Sequence, residues 1–442
     1  MSQELFAIAE AAARTRGVRD IEVIFEKHTG ALTRFANNAI HQNVAEMDHA
    51  ISIRVMEDHR TARASTNRLD RASIEATVEQ AIALTRASNP DEALPTLVEP
   101  ATVRSLQRHF ASTAQASPET RAKAVAEAIR IVEAAGQTAA GIFETGESTE
   151  SLFNSRGVAV EHAGTMARFS ITAMAGDSSG WAKASSADAS ILDPRALATQ
   201  AMTKARDSRN PRAIDPGRYT VILEPAAVLD LVGQIFADFS ATALADQRSF
   251  LTDRLGTKLF GDNISITDDV GHALQTGAPF DGEGVSRSTL QLVEAGVPKE
   301  IAVSRSAAPK ANLPPTGHGY PLPNEVGEAP MNIVIAGGTS TLDEMIRSTE
   351  RGILITRLWY IREVDPYEKM MTGMTRDGTF LIERGELAGG LRNFRFNQSI
   401  IELLNNVELL SAAVRASGEE AADMVVPAMK VHNFHLSGVT KF

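Results

Sequence analysis

Apolar and polar positions fall into two rhythms along this chain. Stretches of helical period flank clusters of short, alternating runs. The first helix is expected from about Ser2 to Thr15, Ala-rich and carrying Glu4 and Glu10 on its polar side. Five short strands follow, at Ile21–Lys27, Ala31–Ala36, Ile40–Glu46, Ala50–Met56 and Thr61–Asn67, and then a helix with Ile74, Val78, Ile82 and Leu84 on its apolar positions. The same order recurs further on. Pro118 opens a helix running to about Ala135, a residue well suited to a first turn. Strands are expected at Ala139–Glu144, Ser151–Ser155, Ala159–Glu161, Ala167–Ala173 and Trp181–Ser185, before a helix from Pro194 to about Arg206.

The two units share local wording. Phe35-Ala36-Asn37-Asn38-Ala39-Ile40 resembles Phe153-Asn154-Ser155-Arg156-Gly157-Val158, and Ser52-Ile53 resembles Ser170-Ile171. An internal duplication accounts for both the order and the wording. Residues 1–88 form the first unit, 89–117 a linker punctuated by Pro90, Pro95 and Pro100, and 118–210 the second unit. A second linker, Asp207 to Gly217, carries Pro211 and Pro216.

From residue 217 to 442 the pattern changes. A strand at Tyr219–Leu223 precedes one helix, Pro225 to about Ala243, and a Gly-rich, strand-rich remainder. Strands are expected at Ile264–Thr267, Leu290–Glu294, Ile301–Val303, Ile353–Trp359, Thr379–Glu383 and Leu391–Phe396. Helices are expected at Thr341–Ser348 and Ser399–Glu408, with a closing strand in Val425–Leu436. The fold class is therefore α+β: duplicated helix–antiparallel-strand–helix units followed by a strand-rich C-terminal domain.

Composition narrows the function. The net charge of −11 argues against binding a nucleic-acid backbone. With no cysteine, disulfides and thiolate metal sites are excluded. The N-terminus lacks the basic start and apolar run of a signal peptide. No apolar stretch approaches the ~20 residues that cross a bilayer, so a soluble, cytoplasmic protein is expected.

Few residues carry chemistry. Asp230 and Gln234, four apart, share a helix face. Gly176-Asp177-Ser178-Ser179-Gly180 matches a nucleophile-elbow spacing, but it lies between two expected strands and reads as a hairpin loop. Ala336-Gly337-Gly338-Thr339-Ser340 lacks the lysine of a phosphate loop and reads as the lead-in to a capped helix. His432 and His435 would face opposite sides of a strand. His28, His41, His49 and His59 fit no ligand spacing. The Pro309–Pro330 loop holds Gly317-His318-Gly319, where two glycines allow close backbone approach.

Several segments together resemble the TldD/PmbA family of peptidases. They are Glu224 to Phe236, Phe250-Leu251-Thr252 with Leu259 to Asp269, the hairpin Gly373 to Leu387, and Asn397 to Leu409. Catalytic TldD members carry His-Glu-x-x-x-His on the central helix. Here those positions resemble Leu229, Asp230 and Gln234, and the hairpin opens on the variant Thr375-Arg376-Asp377-Gly378. Leucine cannot bind a metal and glutamine is a poor ligand. The resemblance is thus to the metal-free PmbA or TldE type. Older family names mention DNA gyrase, for which the charge offers no support.

The resemblance implies one half of a heteromeric peptidase acting on unfolded peptides. A TldD-like His-Glu-x-x-x-His partner would bring zinc, with no cofactor on this chain, and the similarity of the family's two subunits implies a homodimer in the partner's absence. It also implies peptide contacts at Gly317, His318, Gly319, Arg376 and Gly378, through a sheet edge that accepts an added strand. Two other readings stay open. One is an independent hydrolase using His318 with Asp230, or Ser178. The other is a non-enzymatic peptide-binding protein.

Overall fold

Asp70, Ser117 and Asp193 each start a helix in the same way, their side chains accepting backbone N–H groups of the first turn. Proline follows the cap in the last two. In the computed structural model, which describes residues 1–440, these helices frame two similar element orders. The first is α1 (Ser2–Thr15), β1 (Asp20–Ala36), β2 (Ala39–Glu57), β3 (Arg60–Thr66) and α2 (Arg71–Ala87). After a short α3 (Ala111–Ala114) come α4 (Pro118–Ala134), β4 (Thr138–Asn154), β5 (Ala159–Ala175), β6 (Ser178–Ser186) and α5 (Pro194–Asp207).

All six strands form one sheet in the order β3-β2-β1-β4-β5-β6. Its centre is the antiparallel β1–β4 pairing, from Glu22 opposite Asn154 to Phe35 opposite Gly141. Each unit keeps its own apolar core, one around Ile21, Phe25, Ile53 and Val78, the other around Phe143, Phe169, Val125 and Ala201.

The expected strands are too short and too many here. Ile21–Lys27 and Ala31–Ala36 are one strand, β1; Ile40–Glu46 and Ala50–Met56 are one strand, β2. The second unit repeats this in β4 and β5. Polar residues and glycine interrupt the alternation at the joins, yet the ladder runs through them. Gly30 pairs with Glu46 on one side and with Gly146 on the other. Neighbouring strands hold the backbone extended where the side-chain pattern lapses.

The C-terminal region begins with β7 (Gly217–Leu223) and α6 (Pro225–Val232), continued by a 3₁₀ turn at Gly233–Asp238 and by α7 (Ala241–Ala245). Next come β8 (Ile266–Asp268), β9 (Leu290–Glu294), β10 (Val297–Pro298), α8 (Ala308–Ala311), β11 (Ile333–Ile335) and α9 (Leu342–Arg347). The rest comprises β12 (Arg351–Asp365), β13 (Met370–Glu383), β14 (Glu386–Gly390), β15 (Phe394–Ser399), α10 (Ile400–Asn405), β16 (Val407–Leu410), β17 (Val414–Ala416), β18 (Met424–Val426) and β19 (Met429–Val439).

Strands β12, β7, β19, β15 and β13 pair in that order, and β12 also pairs with β13, so the five close into a ring. Alternation along β7 explains how the ring is held. Val221 and Leu223 join the large core with Leu229, Val232 and Phe236, whereas Ile222 packs outward on Met345 and Ile346 of α9. A second sheet runs β10-β9-β8-β11-β18-β17.

Four expectations are corrected here. The helix from Pro225 does not reach Ala243; α6 ends at Val232. A Cβ on Gly233 would lie 2.6 Å from the Ala421 Cβ, so the chain passes close to a distant loop there and tightens its turn. In Ile301–Val303 only Ala302 pairs, as an isolated bridge to Ser240. The strand expected at Leu391–Phe396 starts at Phe394. Val425–Leu436 divides into β18 and β19, between which Pro427 has no N–H to donate. The capped helix after Ser340 does form, with a reciprocal Thr341–Glu344 capping box. No helix among the described residues is long and apolar enough to cross a membrane.

Candidate functional site

Glu224 precedes Pro225, and α6 follows with every side chain from Ala227 to Val232 buried. Leu229 is fully enclosed in the large core. Asp230 is also fully buried, and its Oδ1 accepts the backbone N–H groups of Glu419 and Glu420, both at 2.9 Å. Burial pushes its pKa up to about 6, against the pull of those two amides and of Arg357. Gln234 spends its amide on the carbonyls of Asp230, at 3.1 Å, and Glu420, at 3.2 Å.

Gly418 lets this segment close down, since a Cβ there would stand 2.1 Å from Asp230 Oδ1. Lys183 holds the same segment from the other side, donating to the Gly418 carbonyl at 2.6 Å. The helix face that the sequence singled out therefore works as a clamp on a distant loop. As a zinc site it fits poorly. It offers one carboxylate already holding two amides, a glutamine bonded to backbone, and a leucine. Among the described residues no three His, Cys, Asp or Glu side chains gather as metal ligands.

Within the Pro309–Pro330 loop, Gly317, His318 and Gly319 are buried while Asn312–Pro315, Glu325 and Val326 are exposed, so the residues expected to face a peptide turn inward. His318 is buried, with Nδ1 3.0 Å from the Thr316 hydroxyl and Nε2 3.3 Å from Asp268 Oδ1. Burial pushes the Asp268 carboxyl up, but His318 and the amides of Asn332 and Met331 outweigh it, and the net shift is downward. The two glycines approach this chain's own backbone and side chains. A Cβ on Gly317 would lie 2.2 Å from the Ser286 carbonyl, and one on Gly319 would lie 2.4 Å from Glu283 Oε1. Glu328 anchors the loop: it accepts from the Ser240 hydroxyl and the Thr242 amide, both at 2.7 Å, and from the Ser304 amide at 3.1 Å.

Arg376 and Gly378 lie elsewhere, on β13. Between them Asp377 holds φ at 53° and Gly378 at 129°, where a Cβ would stand 2.5 Å from the Thr356 hydroxyl. Asp377 accepts from Arg357 Nε at 2.8 Å and from the Ser179 hydroxyl at 2.6 Å. The Arg357 guanidinium sits 4.8 Å from the centre of the Trp181 ring and 5.6 Å from that of Trp359. Arg376 lies over the other tryptophan contact, 5.1 Å from the Trp359 ring centre.

The turn between β5 and β6 with the start of β6, and the irregular Asp377–Gly378 step within β13, far apart in sequence, thus line one cavity of about 260 Å³. Ser178 itself faces inward and donates to the Ala175 and Ala205 carbonyls at 3.0 and 2.6 Å, with no histidine beside it. Ser178 is therefore structural. The structure also keeps His318 and Asp230 in separate hydrogen-bond networks. His432 bonds Glu408 at 2.8 Å and the Thr220 hydroxyl at 3.0 Å.

Sequence reasoning missed Arg357, Trp181, Glu328 and the Glu419–Glu420 amides. Each acts through a partner distant along the chain, so no local spacing signals it.

Comparison with known proteins places the whole fold. The PmbA/TldA metallopeptidase domain 1 model matches residues 21–85, the central domain model 67–209 and the C-terminal domain model 216–438. The chain belongs to the PmbA/TldD metallopeptidase family. Metalloprotease PmbA of Escherichia coli O157:H7 is 21% identical over 441 residues, covering 96% of this chain and 95% of that protein. An uncharacterised protein of Methanocaldococcus jannaschii is 31% identical over 160 residues, a match spanning 35% of this chain and only 38% of that protein. The crystal structure of TldE from Thermococcus kodakarensis superposes with a TM-score of 0.88 at 21% identity, covering 99% of each chain. In fold, the chain is similar to that TldE structure over nearly its whole length.

Proposed function

We propose that this chain is the non-metal subunit of a TldD/TldE-type heteromeric peptidase acting on unfolded peptides. One observation carries the reading: Asp230 Oδ1 and the Gln234 amide are committed to the backbone of residues 230 and 419–420, and the remaining Asp230 Oδ2 has no second and third His, Cys, Asp or Glu beside it to form a zinc site among the described residues. A partner bearing His-Glu-x-x-x-His would supply the zinc, which activates water and polarises the peptide carbonyl. This chain would close the chamber and hold the peptide as an added strand, with Arg376 and Gly378 among its contacts. An open edge supports strand addition. β3 covers β2 only from Ile51 to Glu57, so Ala39–Ala50 pairs with β1 alone among the described strands; this edge lies at the end of the sheet away from β6, the strand that meets β13, so it is a separate contact from Arg376 and Gly378.

The same reading includes a cytoplasmic location, a homodimer when the partner is absent, and division into residues 1–88, 118–210 and 217–442. It also treats the two α–β–β–β–α orders as a duplication.

Metal content and peptide cleavage test it, measured on the purified chain alone and after co-expression with a motif-bearing relative. Zinc and cleavage only in the pair are expected. Stoichiometric zinc, or cleavage, by the chain alone would overturn the reading.

A further inference from the structure

The cavity between the β5–β6 turn and the Asp377–Gly378 step of β13 carries a charge pattern that subunit pairing leaves unused. Its volume of about 260 Å³ is below the ~300–1,000 Å³ typical of sites for drug-sized ligands, so its occupant is smaller. Three ionic side chains line it: Asp177, Asp377 and Arg392. Asp377 is already neutralised by Arg357 and bonded by Ser179. Asp177 and Arg392 are exposed at the rim, and neither side chain has a hydrogen bond or ion pair among the described residues.

Asn393 lies next to Arg392 in the lining. Its Oδ1 accepts from the Thr379 hydroxyl at 3.2 Å and the Thr375 hydroxyl at 3.4 Å. With its oxygen so held, its NH₂ remains as a donor. One wall thus presents a guanidinium and an amide N–H to a carboxylate. The other, from the turn between β5 and β6, presents a carboxylate to an ammonium.

We propose that this cavity binds a small zwitterion of the α-amino acid or dipeptide class. A simple anion would meet Asp177 unpaired, and a simple cation would meet Arg392 unpaired. A ligand with one ammonium and one carboxylate satisfies both. The inference rests on the peptidase reading only for the source of such molecules, which are the products of peptide cleavage; the binding itself needs neither partner nor zinc.

Calorimetric titration of the purified chain alone with dialanine, N-acetyl-dialanine and dialanine amide tests the assignment. Dialanine is expected to bind saturably, and each blocked form at least about tenfold more weakly, the loss of one charge-assisted contact. Asp177→Asn should abolish the preference over the N-acetyl form, and Arg392→Gln the preference over the amide. Both side chains are exposed, so both variants should retain the wild-type unfolding midpoint. Absence of saturable binding, equal binding of the blocked forms, or unchanged preferences in the variants would each overturn the proposal. None of these results bears on zinc in the pair, so the two readings fail separately.

Discussion

The N-terminal sheet and the C-terminal strand ring are built by opposite routes. In the sheet, β1 turns directly into β2, β2 into β3, β4 into β5 and β5 into β6; only β1–β4 joins distant segments. In the ring, β7 pairs with β12 and with β19, both remote in sequence. Contacts between neighbours survive local damage, whereas remote pairings close long loops and need cross-links to hold them. The C-terminal half supplies those cross-links as buried polar side chains. Asp230 holds residues 419–420, Glu328 holds Ser240 and Ser304, and Asp377 joins Arg357 to Ser179.

Removing a cross-link should therefore cost more than damaging a hairpin. The largest effect is expected from Asp377→Ala. It strands the buried Arg357 and should lower stability by about 3–5 kcal/mol in urea unfolding. A loss below about 1 kcal/mol would show that the seam is not a true cross-link.

Asp230 gives a pH-dependent version of the comparison. Its folded pKa is raised from 3.8 to about 6, so the folded state holds the proton more tightly than the unfolded state. Its contribution to stability is fully present below the unfolded value and is lost as pH rises through about 6. Asp230→Asn should remove up to about 3 kcal/mol of the fall in stability between about pH 4 and about pH 7. Unfolding curves of variant and wild type across that range check it. Parallel curves would mean that the carboxyl ionises freely in the folded state.

Gly418→Ala sharpens the same point sterically, because the new methyl meets Asp230 Oδ1 and Leu229 Cδ2. A loss of about 1–3 kcal/mol is expected, with the change seen in amide exchange at residues 418–421 as well as in α6. The smallest effect should come from the sheet. Asn38 holds φ at 60°, accepts the Ala139 amide and donates to the Gln137 carbonyl; it is the sheet's own link across the β1–β4 seam, but it is half-buried and uncharged, unlike the enclosed carboxylates of the C-terminal half. Asn38→Ala should cost about 1 kcal/mol, with lost exchange protection confined to the β1–β2 tip and the start of β4. Loss of protection spreading into α6 would break the contrast between the two regions.

The same contrast explains which parts of the fold were legible. The helices around the sheet were read close to their ends because Asp70, Ser117-Pro118 and Asp193-Pro194 are local signals. The continuity of β1 and β2 was not, because Lys27 to Gly30 and Met47 to His49 break the alternation and are kept extended by partner strands. At the site, Leu229 and Gln234 marked the helix as a degenerate motif. Nothing in their spacing revealed that Glu419 and Glu420 would return to it. Gly317-His318-Gly319 showed that the chain needs a close approach there, but not that the approach is to Ser286 and Glu283.

By itself, the amino-acid order determined the helix starts, the change of pattern near residue 217 and the family likeness, including a central helix with leucine and glutamine where catalytic members carry histidine. These depend on caps, periods and residue chemistry, which act over a few neighbours. Only the tertiary structure decided which strands close the ring, where Asp230 directs its hydrogen bonds and that Asp177 and Arg392 share a cavity with Asp377. Those outcomes depend on burying one remote segment against another. Their determinants are distance and desolvation in the packed molecule, which a local pattern does not encode.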